Sequence, residues 1–221
     1  MSLTPEIDIQ DFKVYQPPLV LGKVDKPFND YVKSLCYKLF FSAPSDNSDE
    51  RSRLAGNLKH EYGLTPELQD AVKPVIEAAF FDRFNENQRA FNYPELLKVD
   101  WAFMWCNFQR KYEFNPIHTH SGKYSFVWWV QIPFDIKDEM ELEWVKGSNS
   151  SSASCFQFNY YPLNAIKAVQ QTLHLSKEKD EGMFLIFPAN VPHQVYPFYT
   201  SDELRISISG NFDFALPDGF N

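Results

Sequence analysis

Past residue 98 the chain stops offering helical spacing. Strand-like runs follow at 99–110, 124–132, 141–146, 155–160, 183–187, 193–198 and 204–212, rich in aromatic and β-branched residues and divided by turn-forming stretches. No helix-length segments alternate with them, which excludes a doubly wound parallel sheet and leaves a sandwich or barrel carrying helices on one face. The polar residues 148–154 read as a loop, and 163–173 as a short helix or an irregular excursion.

The upstream third has the other period. Pro5, Pro17 and Pro18 punctuate residues 1–24, where short alternating stretches predict one or two edge strands. Asp25-Lys-Pro27 opens a helix whose apolar face is Phe28, Val32, Leu35, Cys36 and Leu39. Residues 43–53 are polar and turn-rich, hence a surface loop. A second helix begins at Thr65-Pro66-Glu67 and carries Leu68, Val72, Val75, Ile76, Ala79 and Phe80. Pro74 should kink or interrupt it, and its end is expected near Phe84 or Asn85. At 221 residues the chain can build one sizeable core. The expectation is a single domain over 1–221, with 1–98 as helical and edge-strand support for a core over 99–213.

Composition narrows the class of function. The net charge of -8 comes with no basic block, which argues against general nucleic-acid binding through phosphates. No apolar run reaches the length of about 20 residues that a spanning helix needs. The start, Met1-Ser-Leu-Thr-Pro-Glu, is neither basic nor apolar, so no signal peptide and a cytoplasmic location are expected. Cys36, Cys106 and Cys155 are widely spaced in apolar contexts, with no Cys-x-x-Cys, and are expected as reduced, buried thiols.

Three stretches carry chemistry. In Asn115-Pro-Ile-His118-Thr-His120-Ser-Gly122, the two histidines are spaced so that an extended strand sends both side chains to one face. That suits a shared metal, although a pair of surface histidines has the same spacing. In Phe187-Pro-Ala-Asn-Val-Pro-His193, a histidine follows a proline turn at the start of a strand, as a third ligand or as a core histidine bonded to backbone. In Leu204-Arg205-Ile-Ser207-Ile-Ser209, alternation puts the arginine and the two hydroxyls on one face. A guanidinium beside a hydroxyl matches a carboxylate, and an edge arginine reaching solvent is the alternative. His60 and His174 lack such contexts and are assigned surface or structural roles.

Together these stretches resemble the 2-oxoglutarate- and iron(II)-dependent oxygenase superfamily, and most closely a branch common among bacteriophage and bacterial sequences. The shared stretches are Asn-Pro-x-His-x-His-Ser-Gly, Ser125-Phe-Val-Trp128, Phe187-Pro-Ala-x-x-x-His193-x-Val-Tyr-Pro-Phe198 and Arg205-Ile-Ser-Ile-Ser-Gly-Asn211. The match is good over about 99–213 and weak upstream through Leu54-Ala-Gly-Asn57. The resemblance implies a mainly β fold, a double-stranded β-helix (jelly-roll, cupin-like) core with N-terminal helices packed on one face. It implies iron(II) held by His118, His120 and His193, and 2-oxoglutarate bound through Arg205, Ser207 and, more weakly, Gln109 or its neighbour Asn107. Dioxygen and an organic or protein substrate complete the implied reaction, a hydroxylation releasing succinate and carbon dioxide. One departure stands out: the superfamily usually has a carboxylate where this chain has His120. Glu113 or Asp135 is the alternative source of an acid ligand. A three-histidine, cupin-like dioxygenase that needs no 2-oxoglutarate, and a non-catalytic jelly-roll binding or structural protein, are the competing readings.

Overall fold

The computed structural model of the chain describes residues 19–42, 49–90, 98–150, 152–161 and 167–215. Its strands are β1 (Val20–Lys23), β2 (Glu61–Gly63), β3 (Lys98–Gln109), β4 (Asn115–His118), β5 (Tyr124–Gln131), β6 (Phe156–Tyr160), β7 (Val169–Leu173), β8 (Met183–Pro188), β9 (His193–Val195) and β10 (Arg205–Ala215). They form a six-stranded sheet in the order β1-β8-β5-β10-β3-β2 and a four-stranded sheet in the order β4-β9-β6-β7, with antiparallel pairing throughout. This is the expected double-stranded β-helix.

Two apolar layers hold it together. One lies between the large sheet and the helices α1 (Lys26–Ser42) and α2 (Pro66–Ala90), and includes Val32, Leu35, Leu68, Val72, Ile76, Phe80, Phe108, Trp128, Ile206 and Ile208. The other lies between the sheets and includes Val127, Trp129, Phe156, Phe158, Leu185 and Phe187. Because β5 is covered on both sides, all eight of its residues are buried, and Phe126 to Val130 form a continuous apolar run rather than an alternation. Asn29 of α1 fastens the helix layer to that strand: its amide donates to the Val130 carbonyl at 2.9 Å and its carbonyl accepts from Trp128 Nε1 at 3.0 Å.

Both helix starts follow from the sequence. Asp25 accepts from the Phe28 amide at 2.9 Å, and Thr65 Oγ1 from the Leu68 amide at 3.3 Å. The expected break at Pro74 does not occur, and α2 runs on to Ala90. Pro74 and Asp70 are both exposed, so the carbonyl deprived of its helical partner faces water. A second correction concerns 141–146, which is helical: α3 (Ile136–Glu141) and α4 (Glu143–Lys146) occupy the segment. Asp135 caps α3, and the buried Glu139 carboxylate accepts from the Tyr199 and Thr200 amides and from the Thr200 hydroxyl. Strand propensity yields there to tertiary anchoring. Residues 169–173 form a strand, whereas 162–166 and the edge-strand stretch before residue 19 lie outside the described residues. Cys36, Cys106 and Cys155 are buried and unpaired, as expected. No described helix is long and apolar enough to cross a membrane.

One buried charge stands apart from this packing. Glu61 on β2 is fully buried, and among the described residues neither carboxylate oxygen has a hydrogen-bond partner. A Cβ at Gly56 would lie 2.4 Å from Glu61 Oε1 and 2.5 Å from Leu58 Cδ1, so a side chain there would displace the carboxylate. Burial, with Asp49 nearby, pushes the Glu61 carboxyl up to about 7. The folded protein therefore holds a proton that the unfolded chain releases above about 4.5, and stability falls as pH rises from about 4.5 to 7. Glu61→Gln should flatten that slope and exceed the parent in stability above pH 7 by about 2–3 kcal/mol, measured by urea unfolding across pH.

Candidate active site

The inner faces of β3 and β10 supply one wall of a cavity. Alternation turns Trp105, Asn107 and Gln109 inward, and Met104, Cys106 and Phe108 toward the helices. On β10, Arg205, Ser207 and Ser209 face inward and Ile206 and Ile208 outward. The register pairs Arg205 with Gln109, Ser207 with Asn107 and Ser209 with Trp105. Opposite them stand His118 and His193, cross-strand neighbours on β4 and β9. His120 follows in the turn after β4, its amide donating to the Ala189 carbonyl at 2.8 Å. Gly122 completes that turn with φ +88°, a conformation that favours glycine. The cavity is narrow, about 40 Å³, and Asn115, Phe126, Val127, Trp129, Phe156, Phe187 and Val195 complete its lining. No acidic side chain among the described residues lines it.

The three histidines converge. Ligand atoms of His118, His120 and His193 all lie within 4.8 Å of one another, and His120 Nε2 is 3.2 Å from His193 Nε2. Neighbouring ligands about 2.1 Å from a metal and at right angles are roughly 3 Å apart, so that spacing suits two ligands of one ion. His118 Nδ1 donates to the Pro116 carbonyl at 2.7 Å and His193 Nδ1 to the Val191 carbonyl at 2.9 Å. A carbonyl can only accept, so both rings carry their proton on Nδ1 and present the Nε2 lone pair to the cavity. Burial, reinforced by the neighbouring His118, holds His120 at about 4 and His193 at about 3, and burial lowers His118 as well. All three are neutral imidazoles at pH 7, ready to bind a divalent metal.

The two acids considered as ligands are elsewhere. Glu113 accepts from the Lys59 and Arg110 amides, and Asp135 caps α3. Among the described residues the cluster consists of His118, His120 and His193.

Arg205 is buried to 2% exposure with neutral partners. Its Nε and Nη2 donate to Gln109 Oε1 at 3.0 and 2.6 Å, Nη1 to the Ser154 carbonyl at 2.8 Å, and Nη2 to the Tyr196 carbonyl at 2.9 Å. Desolvation lowers its pKa to about 10, which still leaves a cation at pH 7. Gln109, expected as a weak cosubstrate contact, bonds instead to the arginine through its carbonyl, while its amide donates to the Glu113 carbonyl at 2.5 Å. Asn107 donates to Ser207 Oγ at 3.2 Å, which leaves the Ser207 proton free to point into the cavity. Sequence reasoning overlooked Trp105, Ser154 and Tyr196. Alternation along β3 already put Trp105 on the face of Gln109, but no local signal marks the two carbonyls that hold Arg205.

Residues 103–211 match the family model described as "Putative 2OG-Fe(II) oxygenase". No curated protein matches the chain. Among solved structures, a prolyl-4-hydroxylase of Pseudomonas putida is similar at 12% identity and TM-score 0.50, over 88% of this chain and 91% of that one. A prolyl hydroxylase of Trichoplax adhaerens, solved with a hypoxia inducible factor oxygen degradation domain peptide fragment, is similar at 13% identity and TM-score 0.51, over 87% and 82%. At such identities these likenesses speak for the shared fold.

Two outcomes test the imidazole cluster. Removing one imidazole, as in His193→Ala, should weaken divalent-metal binding by more than about 100-fold, because loss of a mere outer-shell partner already costs 10–100-fold; equilibrium dialysis measures it. In the metal-free protein the depressed imidazoles bind fewer protons than the unfolded chain's, so they lower stability as pH falls from about 6.5 toward 3. His193→Gln should make denaturant unfolding less pH-dependent in that window.

The matched segment, 103–211, contains the whole imidazole cluster and Arg205, so the part of the chain that matches a 2OG-Fe(II) oxygenase family model is the part that carries the candidate site, a donor set suited to iron(II) and to a cosubstrate carboxylate.

Proposed function

We propose that this chain couples the decarboxylation of 2-oxoglutarate to hydroxylation of an organic or protein substrate, with His118, His120 and His193 as the iron(II) ligands. The observation that carries the reading is a buried cation with no acid in contact among the described residues, sharing one cavity with three neutral imidazoles. Iron(II), when bound, supplies chelation of the keto acid and activation of dioxygen.

The protein's own groups do the rest. Pro116 and Val191 carbonyls fix the tautomers of His118 and His193, so two ligands are oriented before a metal arrives. Arg205 offers charge to the far carboxylate of 2-oxoglutarate, and Ser207, its oxygen occupied by Asn107, donates its proton to the same group. Val127, Trp129, Phe156 and Phe187 keep bulk water from the reacting atoms. The absence of an acid in the cavity favours one other reading, a three-histidine dioxygenase acting directly on a chelating substrate. Arg205 argues for 2-oxoglutarate, since such an enzyme needs no second carboxylate clamp.

Anaerobic protein loaded with iron(II) should develop a visible charge-transfer band on addition of 2-oxoglutarate. Arg205→Ala should raise the 2-oxoglutarate concentration needed to develop it by about 30-fold or more, the scale of one lost charge-assisted contact. Tight iron binding without any band would sink the proposal.

A further inference from the structure

The side chain that a buried arginine ordinarily meets is a carboxylate, in a two-point contact of the kind Gln109 makes here. Gln109 lies directly across from Arg205 in the β3–β10 register. Its carbonyl oxygen accepts from both Nε and Nη2, while its amide is held by the Glu113 carbonyl. That second contact settles the orientation of the amide. Turned over, it would set its NH2 against the guanidinium and its oxygen against the Glu113 oxygen. The other acceptors, Ser154 and Tyr196, are backbone carbonyls, and Ser154 reaches its position in the left-handed region at φ +60°, held by its amide's bond to the Pro197 carbonyl. Glu139, the acid whose field reaches Arg205, has its own oxygens bonded to Tyr199 and Thr200. Four of the five guanidinium N–H groups are thus directed by neutral oxygens. One Nη1 proton remains, and among the described residues the positive charge has no contacting counter-charge.

We infer that Gln109 is a positioning residue that selects for a dicarboxylate: it aims Arg205 without neutralising it, so the charge is left for an incoming carboxylate. A glutamate there would have nearly the same shape, yet it would satisfy the cation internally and compete with the ligand. The inference rests on the proposed role of Arg205 toward 2-oxoglutarate.

The test compares 2-oxoglutarate with 2-oxobutyrate, which keeps the keto acid head and lacks the far carboxylate. Calorimetry on manganese(II)-loaded protein reads binding without turnover. The parent should prefer 2-oxoglutarate; a parent without preference would overturn the proposed role of Arg205 itself. In Gln109→Glu, 2-oxoglutarate affinity should fall about 30-fold or more while 2-oxobutyrate affinity stays within about threefold. A general structural defect would weaken both alike. Gln109→Met, which stays neutral but cannot hold Nε and Nη2, should lose part of the preference, about threefold to tenfold, with 2-oxobutyrate affinity unchanged, and it carries the test alone should Gln109→Glu not fold. A preference retained in full in a folded Gln109→Glu, or retained in full in Gln109→Met, would overturn the inference.

Discussion

An unpaired guanidinium at 2% exposure is the most expensive feature of this fold, and much of the surrounding structure can be understood as its support. Removing such a charge from water costs several kcal/mol even after relaxation, on the order of what a whole domain has to spare. Neutral dipoles recover part of it: the Gln109 carbonyl, two backbone carbonyls, and the ring faces of Phe134 and Phe198 at 5.8 and 5.6 Å. They come from β3 (Gln109), the loop before β6 (Ser154), the segment after β9 (Tyr196 and Phe198) and the residues before α3 (Phe134). Arg205 is therefore a tie between the two sheets as well as a site.

The helices make this arrangement affordable in stability. With α1 and α2 covering the outer face of the large sheet, Ile206, Ile208, Met104 and Phe108 find their apolar partners there. The inner face of the same strands is then free to carry a polar row without the sheet losing its core. Trp129 and Val127 border that row on the inside, while Trp128 and Val130 of the same strand pack outward. A strand buried on both faces thus separates a packing layer from a chemical one.

The parts legible in the sequence are those with a local period. His118 and His120 two residues apart, and Arg205, Ser207 and Ser209 alternating with isoleucines, place side chains on a face regardless of context. What could not be read is what depends on distant chain. Gln109 meets Arg205 only because β3 and β10 pair in one register, across some hundred residues of sequence. Pro74 passes through α2 because it happens to face water, and 141–146 is helical because Glu139 anchors α3 to Tyr199 and Thr200. Neither fact has a short-range signal. The short strands β2, β4 and β7 likewise owe their existence to partners rather than to propensity.

Two substitutions of kind, read together, describe the electrostatics of the site. Where the superfamily usually has an acid beside the first histidine, this chain has His120; where a buried arginine usually has an acid beside it, this chain has Gln109. Both replace a carboxylate by a neutral group that keeps the geometry. The cavity consequently contains a cation and no built-in anion. In a buried site this imbalance is weakly screened, so it makes the site intrinsically receptive to negative charge, while burial keeps the imidazoles neutral. A divalent ion adds to the excess, which only an anionic ligand can relieve. Metal and dicarboxylate should therefore bind with positive coupling here, each lowering the electrostatic cost of the other, and the coupling is set by the two neutral side chains rather than by any residue that touches both.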